Sequence, residues 1–344
     1  MPADGSRLVT IRRRLISVPV LFLLGLALLV LVPIWLPVAL IYDLVRAPRR
    51  LPITRLLLFG LCWTWIEIAA LVRLTFAWFT GRGGNVVHMT KVQRWWATCI
   101  LNALRVTAGL RVEIEGLDAY NPSPVIVLPR HASLVDSVLS VWMVIGPAGL
   151  QARTVLKREL LVDPCLDVAG NRMPNYFVDR DAKDPSRELD ALQAMTTGMG
   201  SGVAGVIFAE GTRANPVKRT RALAKIGERD PARAERLGVL RHLMPPRPAG
   251  SAAMLAGAPD ADVVVAWHTG LEGMDTFGGI VRRLPGFSGR TIRYVARRIP
   301  RAEVPTGDAF TRWLDDTWLG LDREVDAALT ASGETDPTAA PGTT

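Results

Sequence analysis

One histidine and one aspartate stand five positions apart in the segment Arg130-His-Ala-Ser-Leu-Val-Asp136. A neutral imidazole can accept a proton near pH 7, and a carboxylate beside it can fix its tautomer. Five residues correspond to about 140° around a helix. His131 and Asp136 can therefore meet only if the histidine lies in the turn before a helix and the aspartate in its first turn. That arrangement would make His131 a general base that Asp136 orients.

The same segment also fits a purely structural role. Ser133 stands three residues before Asp136 and ahead of an apolar run, which is typical of a capping box at the start of a helix. From these residues alone the capping interpretation is the favoured one. One histidine and one aspartate do not complete a coordination shell, so we expect no metal here.

A second polar segment, Ala209-Glu-Gly-Thr-Arg213, follows the apolar run Gly205–Phe208. A glycine after a buried strand lets the backbone approach a ligand closely, and a guanidinium group is a planar fork that matches phosphate oxygens. The segment therefore indicates phosphate binding through Arg213. An ordinary turn with a solvated arginine is the alternative.

The elements that must position these segments are short apolar strands alternating with helices. The predicted strands are Arg111–Glu115, Pro124–Leu128, Ala152–Leu156, Tyr176–Asp179, Gly205–Ala209, Asp262–His268 and Ile292–Ala296. The predicted helices are Leu134–Val144, Pro185–Gly198 and Ala309–Leu329. This alternation predicts an α/β fold, a layered sheet-and-helix domain with its active site where strands end.

The basic charge of the chain is concentrated at its N-terminal end. The formal net charge is +9, and residues 1–94 alone hold twelve basic residues against three acidic ones. These arginines flank two apolar runs, Leu15–Tyr42 and Leu56–Phe79. Basic residues around apolar runs indicate a membrane surface and argue against nucleic acid as a partner. We therefore expect an N-terminal hydrophobic helical hairpin, kinked or broken at its prolines.

The domain organisation follows from these patterns. We expect a membrane-embedded hairpin with Arg-rich flanks at residues 1–94, an α/β domain at residues 95–330 and a disordered tail at residues 331–344. Arginines also fill the short loop between the two apolar runs. The positive-inside rule therefore favours a hairpin embedded from the cytoplasmic side. The rest of the chain would then face the cytoplasm at the cell membrane.

Four sequence blocks resemble the glycerolipid acyltransferase family, in particular the 1-acylglycerol-3-phosphate acyltransferases. The first is H-x-x-x-x-D at His131–Asp136, and the third is F-A-E-G-T-R at Phe208–Arg213. The second combines K-R-E-L-L at Lys157–Leu161 with Y-F-V-D-R at Tyr176–Arg180. The fourth, L-M-P-P-R-P-A-G at Leu243–Gly250, is similar to the lysocardiolipin and lysophosphatidylinositol branch. The four blocks stand in the order of the family, behind a hydrophobic hairpin.

The resemblance implies acyl transfer from acyl-CoA, or from acyl carrier protein, to the free hydroxyl of a lysophospholipid. It implies no other cofactor and no metal. His131 would be the catalytic base and Asp136 its partner. The acceptor phosphate would be bound by Arg213, Arg180 and Lys157. The residues that would support the motifs are Glu210, Gly211, Thr212, Ser133 and Arg247.

One departure from the family pattern and several alternative functions accompany this resemblance. The family usually has Asn where this chain has Arg130, which we expect to add charge beside the base and to affect acceptor preference. Lysophosphatidylinositol, lysocardiolipin and dihydroxyacetone phosphate are alternative acceptors. A non-catalytic protein that binds anionic lipid and a membrane-anchored hydrolase are alternatives of other classes, although a binding protein has no need of a base. No G-x-S-x-G nucleophile elbow is found in the sequence, so an acylated serine is not favoured.

Overall fold

The computed structural model describes residues 7–46, 50–179, 184–283, 291–334 and 336–339. The α-helices are α1 (Arg7–Val30), α2 (Val32–Arg46), α3 (Pro52–Phe79), α4 (Val86–Ala108), α5 (Asp136–Ile145), α6 (Pro164–Gly170), α7 (Pro185–Thr196), α8 (Pro216–Gly227), α9 (Pro231–Leu237), α10 (Pro248–Gly257), α11 (Phe277–Arg283) and α12 (Asp308–Ser332). The strands are β1 (Arg111–Glu115), β2 (Val125–Pro129), β3 (Gln151–Lys157), β4 (Tyr176–Val178), β5 (Val203–Val206), β6 (Asp262–Thr269) and β7 (Thr291–Ile299).

The chain divides into two compact units. The hairpin unit comprises Met1–Arg111, Val141–Glu188 and Val281–Arg290. The sheet unit comprises Val112–Ser140, Leu189–Ile280 and Thr291–Thr344. The mixed composition of helices and strands confirms the predicted α/β fold class.

Two helices of the hairpin unit, α1 and α3, are long and apolar enough to cross a membrane. Only 11% of the apolar window of α1 and 28% of that of α3 is buried in the protein, whereas the core helix of a soluble domain would be mostly buried. The first apolar run is interrupted, because α1 ends at Val30 and α2 begins at Val32, one residue before Pro33. This break confirms the expected interruption, while Pro19 and Pro37 lie inside helices.

The two charged residues within the second apolar run, Glu67 and Arg73, contact tryptophans of α4. The Arg73 guanidinium lies 4.1 Å from the centre of the Trp95 ring, a cation–π distance. The Trp96 Nε1–H donates a hydrogen bond of 2.7 Å to Glu67 Oε1. The polar interruptions of the second run therefore help to pack α3 against α4.

The sheet unit is built on strands in the order β1-β7-β6-β2-β5. Strand β2 pairs in parallel with β5 and with β6, and β7 pairs antiparallel with β6. Every residue of β2 is buried, as an apolar run in the middle of a parallel sheet requires. The parallel pairing brings the carboxyl ends of β2, β5 and β6 to one edge of the sheet, and both polar segments start there.

Two expected boundaries differ from the structure. The boundary after residue 94 falls inside α4, and the tail expected to be disordered from Ala331 begins within α12, which continues to Ser332. The helix extends because its apolar face, with Val325 and Leu329 buried, continues to this point. Asp336 is also fixed, since its carboxylate accepts a hydrogen bond from the His242 ring. Residues 335 and 340–344 lie outside the described part of the chain.

Candidate active site

The loop between β2 and α5 brings His131 and Asp136 into contact. The His131 Nδ1 lies 3.0 Å from Asp136 Oδ1, and both side chains are buried. As the spacing required, the histidine precedes the helix and the aspartate is its first residue. Because Asp136 engages Nδ1, the other ring nitrogen, Nε2, is the one that can accept a proton.

The capping box forms in the same place. Asp136 Oδ2 accepts hydrogen bonds of 2.6 Å from the backbone N–H groups of Ala132 and Ser133. In return, the Asp136 N–H donates to Ser133 Oγ at 3.0 Å. The two interpretations of the sequence are therefore compatible, because one carboxylate uses Oδ1 for the histidine and Oδ2 for the helix terminus.

Two neighbouring histidines determine the ionisation of Asp136. Burial by itself would raise the pKa of its carboxyl group, but the charge and hydrogen bond of His131, with a further contribution from His268, outweigh it. The net pKa of Asp136 lies well below its usual range. The carboxylate is ionised at every pH at which an imidazole could act as a base.

The segment Phe208–Ala214 holds the backbone of His131 from both sides. Glu210 Oε1 accepts the His131 N–H at 2.7 Å, and the Ala214 N–H donates to the His131 carbonyl at 2.7 Å. The Phe208 ring lies against the imidazole, with 4.3 Å between the ring centres. His131 is thus fixed by the third sequence block as well as by its own loop.

Glu210 also connects the fourth block to this centre. Its Oε2 accepts the Met244 N–H at 2.9 Å, so one buried carboxyl group bridges two loops. Burial raises the pKa of Glu210 to about 8, although the Met244 and His131 N–H groups act in the opposite direction. The geometry gives Glu210 a positioning role, as the motif suggested.

The basic part of the site surrounds Gly211. This glycine has a φ of 68°, and a Cβ there would lie 3.0 Å from Arg247 Cδ, so the Arg247 side chain lies over the turn. The Arg247 N–H also donates to the Ala209 carbonyl at 2.8 Å. The Arg213 Nε is buried and makes no hydrogen bond within the described residues. Thr212 Oγ1 lies 3.5 Å from Lys218 Nζ, which adds a lysine that the motif did not include.

Arg130 does not add charge to the site in the way the sequence suggested. Its side chain is completely buried. Its Nη1 lies 2.9 Å from Glu272 Oε1, and its Nη2 lies 3.5 Å from Asp336 Oδ2. The guanidinium group is therefore paired with two carboxylates within the fold.

The other two predicted phosphate ligands are Lys157 and Arg180. Lys157 is the last residue of β3 and belongs to the hairpin unit. Arg180 lies outside the described residues. Their role in phosphate binding stays a prediction.

Sequence reasoning missed one residue close to the centre. His268 lies at the end of β6 with its Nε2 3.5 Å from Asp136 Oδ2. Its position follows from the pairing of the strands in the structure, because Pro129 of β2 is in register with Ala266 of β6. A histidine two positions after Ala266 must lie at the edge of the sheet from which His131 emerges.

Among the described residues, a cluster of possible metal ligands lies in the hairpin unit. The potential ligand atoms of Glu67, Asp163 and Cys165 lie within 4.8 Å of one another. The Cys165 thiol donates to the Glu67 backbone carbonyl at 3.1 Å, and Asp163 caps α6 through the Leu166 N–H. These contacts give the cysteine and Asp163 structural roles at the start of α6.

Comparison with known proteins supports an enzymatic site. Residues 111–266 match the protein-family model Acyltransferase. No curated protein gives a significant sequence match to the chain. A solved structure with partial similarity is the 1-acyl-sn-glycerophosphate (LPA) acyltransferase PlsC from Thermotoga maritima, with 13% identity, coverage of 76% of this chain and 98% of that chain, and a TM-score of 0.40. The segment that matches the acyltransferase family model contains both the His131–Asp136 pair and the Glu210–Arg213 turn.

Proposed function

We propose that this protein transfers a fatty acyl group from acyl-CoA, or from acyl carrier protein, to the free hydroxyl of 1-acylglycerol-3-phosphate, which yields phosphatidic acid. The observation that carries the proposal is the His131 imidazole, held at Nδ1 by Asp136 and flanked by the Arg213 turn. This acceptor needs a base for its hydroxyl group and a cation for its phosphate. The two sequence blocks supply one each.

The proposed reaction proceeds by direct attack. His131 Nε2 takes the proton of the acceptor hydroxyl as its oxygen attacks the thioester carbonyl, since an alcohol is a poor nucleophile at pH 7. Asp136 stays ionised and stabilises the imidazolium that forms, as the aspartate of a catalytic triad does. The tetrahedral intermediate then collapses with cleavage of the C–S bond. His131 returns its proton to the departing thiolate, so the base is regenerated and no further cofactor is consumed.

Arg213 is the proposed phosphate ligand. Its buried Nε has no hydrogen bond within the described residues, and leaving such a donor unsatisfied is costly. A phosphate oxygen would satisfy it with a charge-assisted hydrogen bond. Arg247 and Lys218 beside the same turn would add positive charge, and Arg180 and Lys157 remain candidates by resemblance.

The hairpin unit is proposed to hold the enzyme at the cytoplasmic face of the cell membrane. Helix α1 carries large exposed apolar side chains along its length, among them Leu15 and Leu23, and these would be covered by lipid. A lysophospholipid resides in a leaflet and acyl-CoA is amphipathic. An anchored enzyme therefore meets both substrates at the interface.

An acyltransferase assay with a panel of acceptors tests the proposal. Membranes containing the protein would be incubated with labelled acyl-CoA and 1-acylglycerol-3-phosphate, lysophosphatidylinositol, lysocardiolipin or dihydroxyacetone phosphate. We expect labelled phosphatidic acid, formed fastest with the first acceptor. A different preferred product would identify another acceptor, fatty acid released without acceptor would indicate a hydrolase, and lipid binding without turnover would indicate a non-catalytic protein.

The His131→Ala variant tests the mechanism in the same assay. We expect a loss of acyl transfer of about 10²–10⁴-fold with the protein still folded in the membrane fraction. His88→Ala is the matched control, because His88 lies on α4 and has no proposed part in the reaction. Full activity of His131→Ala would contradict the base and leave the segment with its capping role.

A further inference from the structure

His268 is a buried histidine whose ring nitrogens lack partners. Its side chain is completely inaccessible to solvent, and neither Nδ1 nor Nε2 makes a hydrogen bond within the described residues. Burying such polar atoms without partners is costly, and buried histidines are normally hydrogen-bonded. The ring lies close to one carboxylate, with its Nε2 3.5 Å from Asp136 Oδ2.

The carboxylate of Asp136 lies between two imidazoles. Its Oδ1 faces His131, while its Oδ2 faces His268 and the two backbone N–H groups of the capping box. A carboxylate has two oxygens with about four lone-pair positions. The two N–H donors take both positions of Oδ2, so His268 can contact this oxygen only as a third donor that shares it, which agrees with the longer distance of 3.5 Å.

The other groups near His268 leave Asp136 as its charged acceptor. Arg130 contacts the backbone carbonyl of His268 and not its ring. Glu272 is occupied by Arg130 and by the Gly270 N–H. Tyr294, the register partner of His268 on β7, bonds through its hydroxyl to Tyr120. Glu210 adds a second buried carboxyl group near Asp136, held by backbone N–H groups.

We propose that His268 is a positioning residue of the acyl-transfer site, which, neutral and protonated on Nε2, donates a hydrogen bond to Asp136. One carboxylate would then orient the catalytic imidazole through Oδ1 and be held through Oδ2 by a second imidazole. A shortening of the Nε2–Oδ2 distance from 3.5 Å to about 3 Å would complete this bond. The inference rests on the proposed function for its effect on turnover, while the protonation of His268 can be measured without it.

The expected consequence concerns the pH at which the base works. A donor on Oδ2 withdraws negative charge from the carboxylate, so Asp136 stabilises the protonated form of His131 less strongly. If the donor is lost, the acid limb of the pH–rate profile, where the base becomes protonated, moves to higher pH. The KM for the acceptor should not change, because His268 is buried behind Asp136 and is not placed against substrate.

Two variants separate hydrogen bonding from packing. His268→Gln can present an amide N–H near the position of Nε2, whereas His268→Leu fills similar space without a donor. With acyl-CoA and 1-acylglycerol-3-phosphate, we expect His268→Leu to lose about tenfold in kcat at neutral pH, the worth of one hydrogen bond to a charged group. Its acid limb should shift upwards, and His268→Gln should recover most of both effects. Unchanged kcat and pH profile in His268→Leu, or equal losses in both variants, would overturn the proposal.

A spectroscopic measurement makes the result independent of turnover. The chain has four histidines, so ¹⁵N-histidine-labelled protein in detergent can be assigned with single variants. We expect His268 as the tautomer protonated on Nε2. His268→Leu should also displace the His131 Nδ1 proton resonance, and His268→Gln should restore it. A His268 protonated on Nδ1 would overturn the inference even if the enzyme proves active. If no acceptor is acylated, the expected tautomer would still support the contact while the proposed function fails.

Discussion

The backbone of the catalytic loop, residues 130–136, and the arginine that ends the basic turn, residues 209–213, differ in how completely their N–H donors are satisfied. In the catalytic loop, each backbone N–H from Arg130 to Asp136 has a hydrogen-bond acceptor. In the basic turn, the buried Arg213 Nε has none among the described residues. In the proposed mechanism, the first arrangement would fix the proton acceptor before substrate binds. The second would keep a donor for the phosphate of the acceptor.

This difference suggests a division of labour within one site. A general base must be held in one orientation and tautomer, since a small misplacement lowers its efficiency. A side chain that binds an anion contributes most to affinity when its donors have no other hydrogen-bond partner before the anion binds. Variants in the catalytic loop should therefore act mainly on kcat, and variants in the basic turn mainly on the acceptor KM.

The largest expected effect comes from Asp136→Asn. An asparagine oxygen can still accept the Ala132 and Ser133 N–H groups, so the helix start should be kept. Its NH₂ group would face the His131 Nδ1 and place the imidazole proton on Nε2, the atom that must accept one. We expect kcat to fall by about 10²–10⁴-fold with little change in thermal stability. Steady-state kinetics and a melting curve measure both.

Asp136→Ala is the companion variant, because it removes the cap as well as the partner of His131. It should lose stability by about 0.5–2 kcal/mol in addition to activity. If Asp136→Asn is fully active while Asp136→Ala is unstable, the carboxylate serves only the capping box. The distinction between a fixed base and an open anion site would then be lost.

An intermediate effect is expected for Arg213→Ala. Loss of a charge-assisted hydrogen bond costs about 1.5–3 kcal/mol. This corresponds to a rise of about 10–100-fold in the KM for the proposed acceptor, 1-acylglycerol-3-phosphate. The KM for acyl-CoA should change less. Initial rates with each substrate varied in turn separate the two constants.

Arg221→Ala is a suitable control, since Arg221 is exposed on α8. Arg213→Lys should recover only part of the loss, because an ammonium group keeps the charge but not the planar fork. An acceptor KM that Arg213→Ala leaves unchanged would remove phosphate binding from the basic turn.

Local pattern was sufficient to predict the strands. All seven predicted strands are present, with boundaries that differ by at most three residues, because short apolar runs bounded by turn residues are strong local signals. Helices α8 and α9 were missed although each starts with a proline after a capping Asn215 or Asp230. Their apolar content is low, so periodicity gave little indication of them.

The site was predictable only in part, for a related reason. His131 and Asp136 are close in sequence, so helix geometry alone defined how they could meet. His268 and Glu272 approach the same centre from β6 and from the loop after it. The buried ion pair between Glu272 and Arg130 depends on the parallel register that places β6 beside β2. Such long-range pairings cannot be read from local spacing, which is why the pairing of Arg130 with Glu272 and Asp336 was not predicted.

The smallest expected effect concerns the support behind the catalytic loop. Asp336 accepts a hydrogen bond from His242 Nδ1 at 2.9 Å and lies 3.5 Å from the guanidinium group of Arg130. Arg130 is the residue that precedes His131 in the chain. The pKa of His242 is raised above 6.5: burial alone would lower it, but its hydrogen bonds to Asp336 and Asp326 prevail. The pKa of Asp336 is lowered to about 2, so its carboxylate stays ionised throughout the range in which His242 titrates.

The sign of the pH effect follows from these shifts. A histidine whose pKa is higher in the folded state contributes stability that is fully present below about pH 6.5 and is lost as the pH rises through its folded value. We therefore expect the melting temperature of the wild type to fall as the pH is raised from 6 to 9, and to fall less in His242→Gln. Glu210 contributes a trend of the same sign, because its raised pKa favours the protonated form in the fold. Since Glu210 is present in both proteins, the difference between the two curves isolates His242. Parallel curves would mean that the His242–Asp336 pair adds no pH-dependent support. The effect on kcat should be small, because both residues act on the catalytic loop only through Arg130, whereas Asp136 contacts the base itself.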